Sequence, residues 1–357
     1  MITLQTNVTG FILKRNINIK EVAVRAGVSI ATVSRVLNNT NLVKEDTRKH
    51  ILRVVEDLNY KPSQIARSLS KRKTDTIGLI LPDLVGEFFM DVTHNIDAEA
   101  YKAKRFTMVS SSHKQRDMLR TLEEFLNSGR VDGLIMMVPQ VEDDMKNFIR
   151  KSDKPVVFLN PIPDSDEFVT FSINNYQGAF ASVEHLISHG YKNIGMIKGP
   201  NENCEAEDRF LGYQDALIKN KIPYNPDFVV EGDFSSRSGY YGLMRLLSQS
   251  VKPDAIFAAN DMTALGIYEA ARDSNIKIPQ DLAVVGFDDI FLTKLISPRL
   301  TTVHVPISEL SSKAVQYLIK MIEKEVDPKA PYNEVISTGL VFGGSCGCKV
   351  DAKTSVI

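Results

Sequence analysis

The most constraining feature of the sequence is a regular alternation of short apolar runs with amphipathic stretches, which begins after Lys73. Apolar runs of this kind, bounded by turn residues, indicate buried parallel strands, and the stretches between them have helical periodicity. The series runs once and then restarts, so it predicts two doubly wound α/β lobes, each with a parallel sheet. A ligand cleft is expected at the carboxyl ends of these strands. The predicted strands are "TIGLILP", "FTMVSSS", "VDGLIMMVP", "PVVFLNP" and "FVTFSIN", then "NIGMIKGP", "FVVEGDF", "AIFAAN" and "LAVVGFD".

The residues before this series have a different pattern, which predicts three short helices. "NIKEVAVRAG" has an apolar stripe at helical spacing and ends at Gly27, a residue that tolerates the positive φ of a turn. Ser29 is suited to cap a second helix, and a third helix, from about Lys44 to Leu58, closes a small core. The predicted core positions are Ile19, Val22, Ala23, Ala26, Val33, Val36, Leu37, Ile51, Val54, Val55 and Leu58.

The formal charge of the chain is only −1, but it is unevenly distributed. The segment from Phe11 to Lys73 has 14 Lys and Arg against 5 Asp and Glu, a net charge of +9. The other 294 residues carry 29 basic and 39 acidic side chains, a net charge of −10. This division predicts that the amino-terminal unit alone binds a polyanion.

The second helix has an outward face suited to a DNA groove. Short side chains near its amino end allow close approach to base edges, and a longer cation follows one turn later. The alternative is a small helical bundle whose polar face is incidental. The outward residues are Ile30, Ala31, Thr32, Ser34 and Arg35.

The segment "YKPSQIARSLSKRK" predicts a short conditional helix. Pro62 suits a first helical position, after which Ile65, Ala66 and Leu69 recur at helical spacing. Helices shorter than roughly 12 residues are marginal in water, so this one is expected to order only against a partner. The alternative is a flexible basic linker.

Two quoted stretches, "IKEVAVRAGVSIATVSRVLN" and "VKEDTRKHILRVVEDLNYKPSQIARSL", resemble the helix-turn-helix and hinge of the lactose repressor/galactose repressor family, without interruption from about Ile17 to Leu69. The resemblance implies that Ile30 and Ala31 read bases, with Ser29, Thr32 and Arg35 holding bases or phosphates and Asn38 close to the backbone. It also implies that the hinge, including Ala66, enters the minor groove, where Leu69 wedges into a base step.

Polar residues at the predicted strand ends are candidates for a ligand site. They are Asp83, Asn160, Asn174, Asn260 with Asp261, and Asp288 with Asp289. Carboxylates and amides that converge with an arginine could bind the hydroxyls of a small polar ligand, while an aromatic side chain packs on its apolar side. The alternative for each residue alone is a helix cap or a loop hydrogen bond.

The resemblance extends through this region and assigns effector contacts. "DRFLGY" places Arg209 at the effector-binding arginine, "AAND" places Asn260 at a polar contact, and "VVGFDD" places Asp288 at the ligand-binding carboxylate. Asn174 departs from the family pattern, in which an aspartate is usual at this position. A sugar-like effector is expected, and the arginine leaves room for a carboxylate or phosphate. The wall positions are Phe88, Phe89 and Phe234, and the positions that vary with the effector are Met137, Asn160, Asn203 and Glu205.

The expected architecture is an all-α helix-turn-helix head and hinge helix, followed by an α/β bilobal core like that of periplasmic binding proteins. The resemblance implies three crossings between two doubly wound parallel-sheet lobes. The expected segments are a poorly ordered extension (1–16), the DNA-binding head (17–61), the hinge and linker (62–74), the core (75–345) and a tail (346–357). The amino-terminal lobe is expected at about 75–174 plus 305–331, and the carboxy-terminal lobe at about 175–304 plus 332–345.

Several functions are disfavoured by the sequence. No apolar run approaches the roughly 20 residues of a membrane span, and no secretory signal is recognisable, so a cytoplasmic location is expected. Gly-x-Gly-x-x-Gly and Walker patterns are absent, and no catalytic constellation or cofactor site is recognisable, which argues against an enzyme. Cys346 and Cys348 lack evident further ligands for zinc, His185 and His189 are interpreted as helix surface, and no metal site is predicted.

The expected protein is therefore a transcriptional regulator, most simply a repressor. It is expected to bind a pseudo-palindromic operator as a homodimer under the control of a small effector. The last predicted strand lies in "EVISTGLVFGG", and the stretch from Lys349 to Ile357 that follows it is too short for a tetramerising heptad repeat, which favours a dimer. The alternatives are a sugar-binding protein or a sugar-modifying enzyme without operator binding.

Overall fold

A computed structural model describes residues 17–37, 42–60, 73–82, 84, 86–111, 118–162 and 167–349. The chain forms two compact units, Met1–Thr74 and Asp75–Ile357. The predicted extension (1–16) and nearly all of the predicted hinge, with Ala66 and Leu69, lie outside the described residues.

The first unit contains three helices, α1 (Ile19–Ala26), α2 (Ile30–Leu37) and α3 (Glu45–Asp57). The side chain of Asn18 caps α1 by accepting hydrogen bonds from the backbone N–H groups of Lys20 and Glu21, and Gly27 ends the helix with φ of 63°. Tyr60, which the apolar pattern did not predict, joins the core. The three predicted helices are thus confirmed, and the buried core consists of Val22, Ala23, Ala26, Val33, Val36, Ile51, Val54 and Tyr60.

The amino-terminal lobe of the second unit has a six-stranded sheet in the order β2-β1-β3-β4-β5-β11, and all its neighbouring strands are parallel. The strands are β1 (Thr76–Leu81), β2 (Phe106–Ser111), β3 (Gly133–Met136), β4 (Val156–Phe158), β5 (Val169–Ile173) and β11 (Tyr332–Ile336). The helices of this lobe are α4 (Glu87–Lys102), α5 (Met118–Asn127), α6 (Asp143–Lys151) and α11 (Ile307–Glu323).

The carboxy-terminal lobe repeats this plan in the order β12-β10-β9-β8-β6-β7. Only the β10–β12 pair is antiparallel among its described strands. The strands are β6 (Ile194–Lys198), β7 (Val229–Glu231), β8 (Ala255–Ala258), β9 (Ala283–Asp288), β10 (Thr301–His304) and β12 (Gly339–Val341). The helices are α7 (Asn175–Ser188), α8 (Cys204–Lys219), α9 (Ser236–Leu247) and α10 (Asp261–Asp273), with short 3₁₀ helices at Pro226–Phe228 and Phe291–Lys294.

One predicted lobe boundary is wrong. We expected residues 332–345 to belong to the carboxy-terminal lobe, but β11 pairs in parallel with β5, with Tyr332 opposite Val169 and Ile336 opposite Ile173. The chain therefore crosses between lobes after β5, after β10 and after β11. The hydrophobic pattern did not indicate which sheet this strand joins, because β11 is an edge strand in which only Ile336 is buried.

Helices α9 and α10 of the carboxy-terminal lobe pack closely together. A Cβ atom added to Gly266 of α10 would lie 1.8 Å from the backbone oxygen of Ser236 in α9. Only a glycine permits this approach of two backbones.

Candidate functional site

Helix α2 presents the face that the sequence predicts for DNA. The Ser29 side-chain oxygen accepts a hydrogen bond from the Thr32 backbone N–H at 3.1 Å, which confirms the predicted cap, and it lies 2.8 Å from the Thr32 hydroxyl. Ile30 is 43% exposed although it is aliphatic, and Ala31 and Arg35 are also exposed. Val33 and Val36 are buried on the opposite side, so the packing of the head leaves this face outside the core.

The structure does not describe four of the predicted site residues. Asn38, Asp83, Ala66 and Leu69 lie outside the described residues, and their roles stay predictions.

A cavity of about 590 Å³ lies between the two lobes, at the carboxyl ends of strands from both sheets. Pockets of this size hold small-molecule ligands. Asn160 does not line the cavity, because its side-chain oxygen accepts from the Val138 N–H at 3.1 Å and its amide donates to the Pro161 carbonyl. The predicted effector residues that do line it are Phe88, Phe89, Met137, Asn203, Glu205, Arg209, Phe234, Asn260 and Asp288.

Arg209 is the central cation of the cavity and is only 4% exposed. Its Nε donates to Asn175 Oδ1 at 2.8 Å, and its Nη1 donates to the Ala259 carbonyl at 2.6 Å. Nη1 also lies 3.7 Å from Asp288 Oδ1, and the guanidinium packs over the Phe287 ring at 3.8 Å. The residues that the structure describes leave Nη2 without a hydrogen bond, so this nitrogen is available to a ligand.

Asp288 ends β9 in a backbone conformation that side chains rarely adopt, with φ of 118°. Burial raises the pKa of this carboxyl to about 7, although Arg209 opposes the shift and Glu205 adds to it. Behind it, burial and then the charge of Asp288 raise the pKa of Asp261. Asp261 accepts hydrogen bonds from the Thr302 hydroxyl at 2.6 Å and the Ile290 N–H at 3.0 Å, and so supports the strained turn.

Three asparagines at the strand ends cap helices. Asn174, Asn203 and Asn260 accept hydrogen bonds from the backbone N–H groups near the starts of α7, α8 and α10, at 3.0, 2.9 and 2.9 Å. The Asn260 side chain also donates a hydrogen bond to the carbonyl of Phe234. Phe234 has a positive φ of 64° and lines the cavity. The helix-cap alternative is correct for Asn174 and Asn260, and of the three asparagines Asn203 and Asn260 also line the cavity.

The sequence did not point to Glu87 or Asn175. Asn175 positions Arg209, and Glu87, the first residue of α4, accepts hydrogen bonds from the backbone N–H groups of Phe291 and Leu292 in the opposite lobe. The two Glu87 contacts join the lobes beside the cavity. Neither residue has a local signal, because each partner is distant in sequence.

The cavity combines aromatic walls with a surplus of carboxylates. The rings of Phe88 and Phe89 are 5.5 Å apart in an edge-to-face arrangement, and Phe234 lines the other lobe. Arg209 is the lone cation among the described lining residues, whereas the carboxylates are Glu87, Glu202, Glu205, Asp233 and Asp288.

A second cluster corrects the expectation about the cysteines. The prediction that Cys346 and Cys348 have no further ligands nearby is wrong, because the ligand atoms of His185 and His189 lie within 4.8 Å of the two sulfurs and of each other. Spacing along the chain did not reveal this, since the two pairs are more than 150 residues apart.

A three-helix head with an exposed second helix, together with a bilobal core around a polar cleft, defines a DNA-binding regulator that senses a small molecule. The comparisons with known proteins agree. Residues 18–63 match the model "Bacterial regulatory proteins, lacI family", and residues 183–346 match "Periplasmic binding protein-like domain".

Curated relatives cover nearly the whole chain. "Catabolite control protein A" of Priestia megaterium is 35% identical over 87% of this chain and 94% of that protein. "HTH-type transcriptional repressor PurR" of Photobacterium profundum is 34% identical over 85% of this chain and 92% of that protein. The chain belongs to the lacI family of bacterial regulatory proteins and is a DNA-binding transcriptional regulator with a small-molecule effector site.

Solved structures confirm the expected fold. The Lac repressor dimer bound to operator and the anti-inducer ONPF has a TM-score of 0.82, with 28% identity over 93% of this chain and 99% of that chain. The complex of the transcriptional regulator CelR with cellobiose has a TM-score of 0.71, with 25% identity over 92% of this chain and 99% of that chain. The two curated relatives are transcriptional regulators. Among the described residues, no helix is long and apolar enough to cross a membrane.

Proposed function

We propose that this regulator binds a pseudo-palindromic operator as a homodimer, acts as a repressor, and responds to an uncharged sugar-like effector in the interlobe cavity. The observation that carries the effector class is the pairing of Arg209 with Asp288, 3.7 Å apart and buried, between aromatic walls.

The pair offers a donor and an acceptor side by side, which suits neighbouring hydroxyl groups of a sugar. Arg209 donates through Nη2, and the Asp288 carboxylate accepts. Phe88 and Phe234 provide surfaces for the apolar face of a sugar ring.

The charges of the lining argue against an anionic effector. A carboxylate or phosphate could pair with only one guanidinium, that of Arg209, which already pairs with Asp288. It would also lie in a cavity lined by Glu205 and Glu202. Burial raises the pKa of Glu205 and of Asp288, so the site already disfavours negative charge, and sugar acids and sugar phosphates are disfavoured for the same reason.

The coupling to DNA follows from the contribution of both lobes to one cavity. An effector that contacts Phe88 in one lobe and Arg209 in the other changes the angle between the lobes. That angle sets the spacing of the two hinges of a dimer, and hence their ability to fold in the minor groove, where Leu69 is the proposed wedge and Ala66 is a further proposed contact. Such coupling is reciprocal, so operator must change effector affinity by the same factor.

On the operator, the proposed contacts lie along α2. Ile30 and Ala31 contact base edges in the major groove, while Ser29, Thr32 and Arg35 hold bases or phosphates, with Ser34 beside them. Two such helices in a dimer read the two halves of the operator, and Asn38 contacts the backbone.

The test is a thermal-shift screen of the purified protein against neutral sugars, sugar acids, sugar phosphates and nucleosides. Each hit is then tested for its effect on operator retardation. We expect a neutral sugar to raise the melting temperature and to change operator affinity.

Arg209→Met should abolish the shift, whereas the matched variant Arg245→Met, on the exposed face of α9, should keep it. A hit confined to sugar phosphates or sugar acids would overturn the effector class. Failure to prefer any inverted-repeat site over random duplex, under every ligand tested, would overturn the regulatory function.

A further inference from the structure

The carboxy-terminal lobe has a cluster of four metal-ligating side chains at the end of α7 that is far from the cavity. His185 lies in the last turn of this helix and His189 follows it as the carboxy-terminal cap. Residues four apart project from the same face of a helix, so both imidazoles point to one place. Asn175, which contacts Arg209, lies at the opposite end of the helix, about 15 Å away at 1.5 Å per residue.

The two cysteines come from the segment after β12, which the sheet holds firmly. The Ser345 hydroxyl donates to the Val284 carbonyl at 2.5 Å, and the Thr301 N–H donates back to Ser345 Oγ at 2.8 Å. Between the cysteines, Gly347 has φ of 92°, a conformation that favours glycine. This turn brings the Cys346 and Cys348 sulfurs to the same imidazoles.

Three sulfur–nitrogen distances among the four side chains are close to the edges of a metal tetrahedron, and all four ligand atoms lie within 4.8 Å of one another. Cys346 Sγ is 3.2 Å from His185 Nε2, and Cys348 Sγ is 3.5 Å from the same nitrogen and 3.3 Å from His189 Nε2. With zinc–sulfur bonds of about 2.3 Å and zinc–nitrogen bonds of about 2.0–2.1 Å, tetrahedral edges measure about 3.3–3.8 Å. A metal ion would therefore draw the more distant ligand atoms closer together by rotation of their side chains.

The donor set identifies the class of metal. Two thiolates and two imidazoles form the Cys₂His₂ set of structural zinc sites, and hard cations such as Mg²⁺ prefer oxygen ligands. Four protein ligands also leave no open position for catalysis. His189 is exposed while Cys346 is fully buried, so an ion can enter from solvent and reach a protected sulfur.

We propose that His185, His189, Cys346 and Cys348 bind one Zn²⁺ ion per chain, which fastens the segment after β12 to the end of α7. The surroundings support these ligands: the Tyr191 hydroxyl donates to the Cys346 carbonyl at 3.3 Å, and Thr301 Oγ1 lies 3.0 Å from Cys346 Sγ. The ion stabilises the carboxy-terminal lobe because the unfolded chain has no such preformed site. The proposal is independent of the effector.

The first experiment measures metal in the full chain without an affinity tag, purified under reducing conditions without chelators. Elemental analysis should find about one zinc per chain. After removal of the ion, Co²⁺ should restore a tetrahedral visible spectrum with a thiolate-to-cobalt charge-transfer band, and added Zn²⁺ should displace it.

The ligand variants are Cys348→Ser and His189→Ala, both at positions that solvent reaches, so the fold should survive. Each should lose the cobalt spectrum and most of the bound zinc. The matched controls are Cys204→Ser, which keeps both other cysteines, and His94→Ala on the surface of α4. Both controls should keep one zinc per chain, and circular dichroism checks that every variant is folded.

Thermal unfolding gives a second readout. Zinc should raise the melting temperature of the wild-type chain and of both controls, and it should leave that of the ligand variants unchanged. The proposal is overturned if the folded wild-type chain takes up no stoichiometric zinc or cobalt, or if Cys348→Ser and His189→Ala bind metal as the wild type does. It also fails if Cys346 and Cys348 form a disulfide whose reduction does not produce metal binding.

Discussion

At the scale of single residues, the buried carboxyl of Asp288 makes the stability of the protein depend on pH. Its pKa is raised to about 7, chiefly by burial, whereas the pKa of an aspartate in the unfolded chain is about 3.9. Between these values the folded state holds a proton that the unfolded state has released, so the free energy of unfolding falls as pH rises through this window. Below the window and above it this contribution is constant.

Asp288→Asn removes this titration. We expect the variant to gain stability relative to the wild type as pH increases from 5 to 8, in urea unfolding at each pH. The control is Asp97→Asn, an exposed change of the same kind on α4, measured under the same conditions. A pH-independent difference for Asp288→Asn would contradict the raised pKa.

Individual residues also indicate why the sequence predicted the cavity only in part. Arg209 and Asp288 belong to short motifs and were predicted, and they lie 3.7 Å apart. Glu87 and Asn175 have no such motif, because their roles depend on partners brought close only by folding. The Cys346–His185 contact was missed for the same reason.

At the scale of secondary-structure elements, the bridge between α4 and the 3₁₀ helix Phe291–Lys294 is expected to hold the cavity closed. Glu87 accepts two backbone hydrogen bonds across the lobes, with the Leu292 N–H at 3.2 Å. Glu87→Gln keeps the size of the side chain but removes its charge. Effector affinity should fall about two- to tenfold, the worth of one hydrogen bond, with faster dissociation in stopped-flow measurements. Asp97→Asn on the same helix is the control, and equal dissociation rates for the two variants would refute the bridge.

The contact between α9 and α10 is expected to tolerate no side chain at its centre. Gly266→Ala would place a methyl group 1.8 Å from a backbone oxygen, so the helices must separate. We expect a loss of about 1–3 kcal/mol in the free energy of unfolding. Gly339→Ala is the matched control, because nothing lies within 4 Å of its added Cβ atom. Chemical denaturation of both variants tests this, and equal stability of the two would contradict such tight packing.

Element boundaries were predicted well where the apolar pattern is strong and poorly where it is weak. The buried strand β1 and the helices α1 and α2 follow directly from periodicity. The sheet to which β11 belongs did not, because a mostly exposed edge strand has little apolar signal.

At the scale of the whole molecule, opposite charges on the two units predict different responses to salt. The segment from Phe11 to Lys73 has a net charge of +9, so operator binding should release counterions from the phosphates. Operator affinity should fall by roughly three orders of magnitude between about 50 and 200 mM salt. Effector affinity, measured by calorimetry in the same buffers, should change little because Arg209 and Asp288 are buried. A flat salt response in fluorescence anisotropy would argue against phosphate-driven docking.

The three crossings between the lobes have a consequence for the ancestry of such a chain. Because β11 completes one sheet and β12 completes the other, neither lobe is a continuous stretch of the gene. Recombination at a single breakpoint cannot exchange one lobe for a foreign one without removing an edge strand, β11 or β12, from its sheet. Exchange of one lobe in this architecture therefore requires several breakpoints, whereas the whole bilobal core can be inherited as one piece.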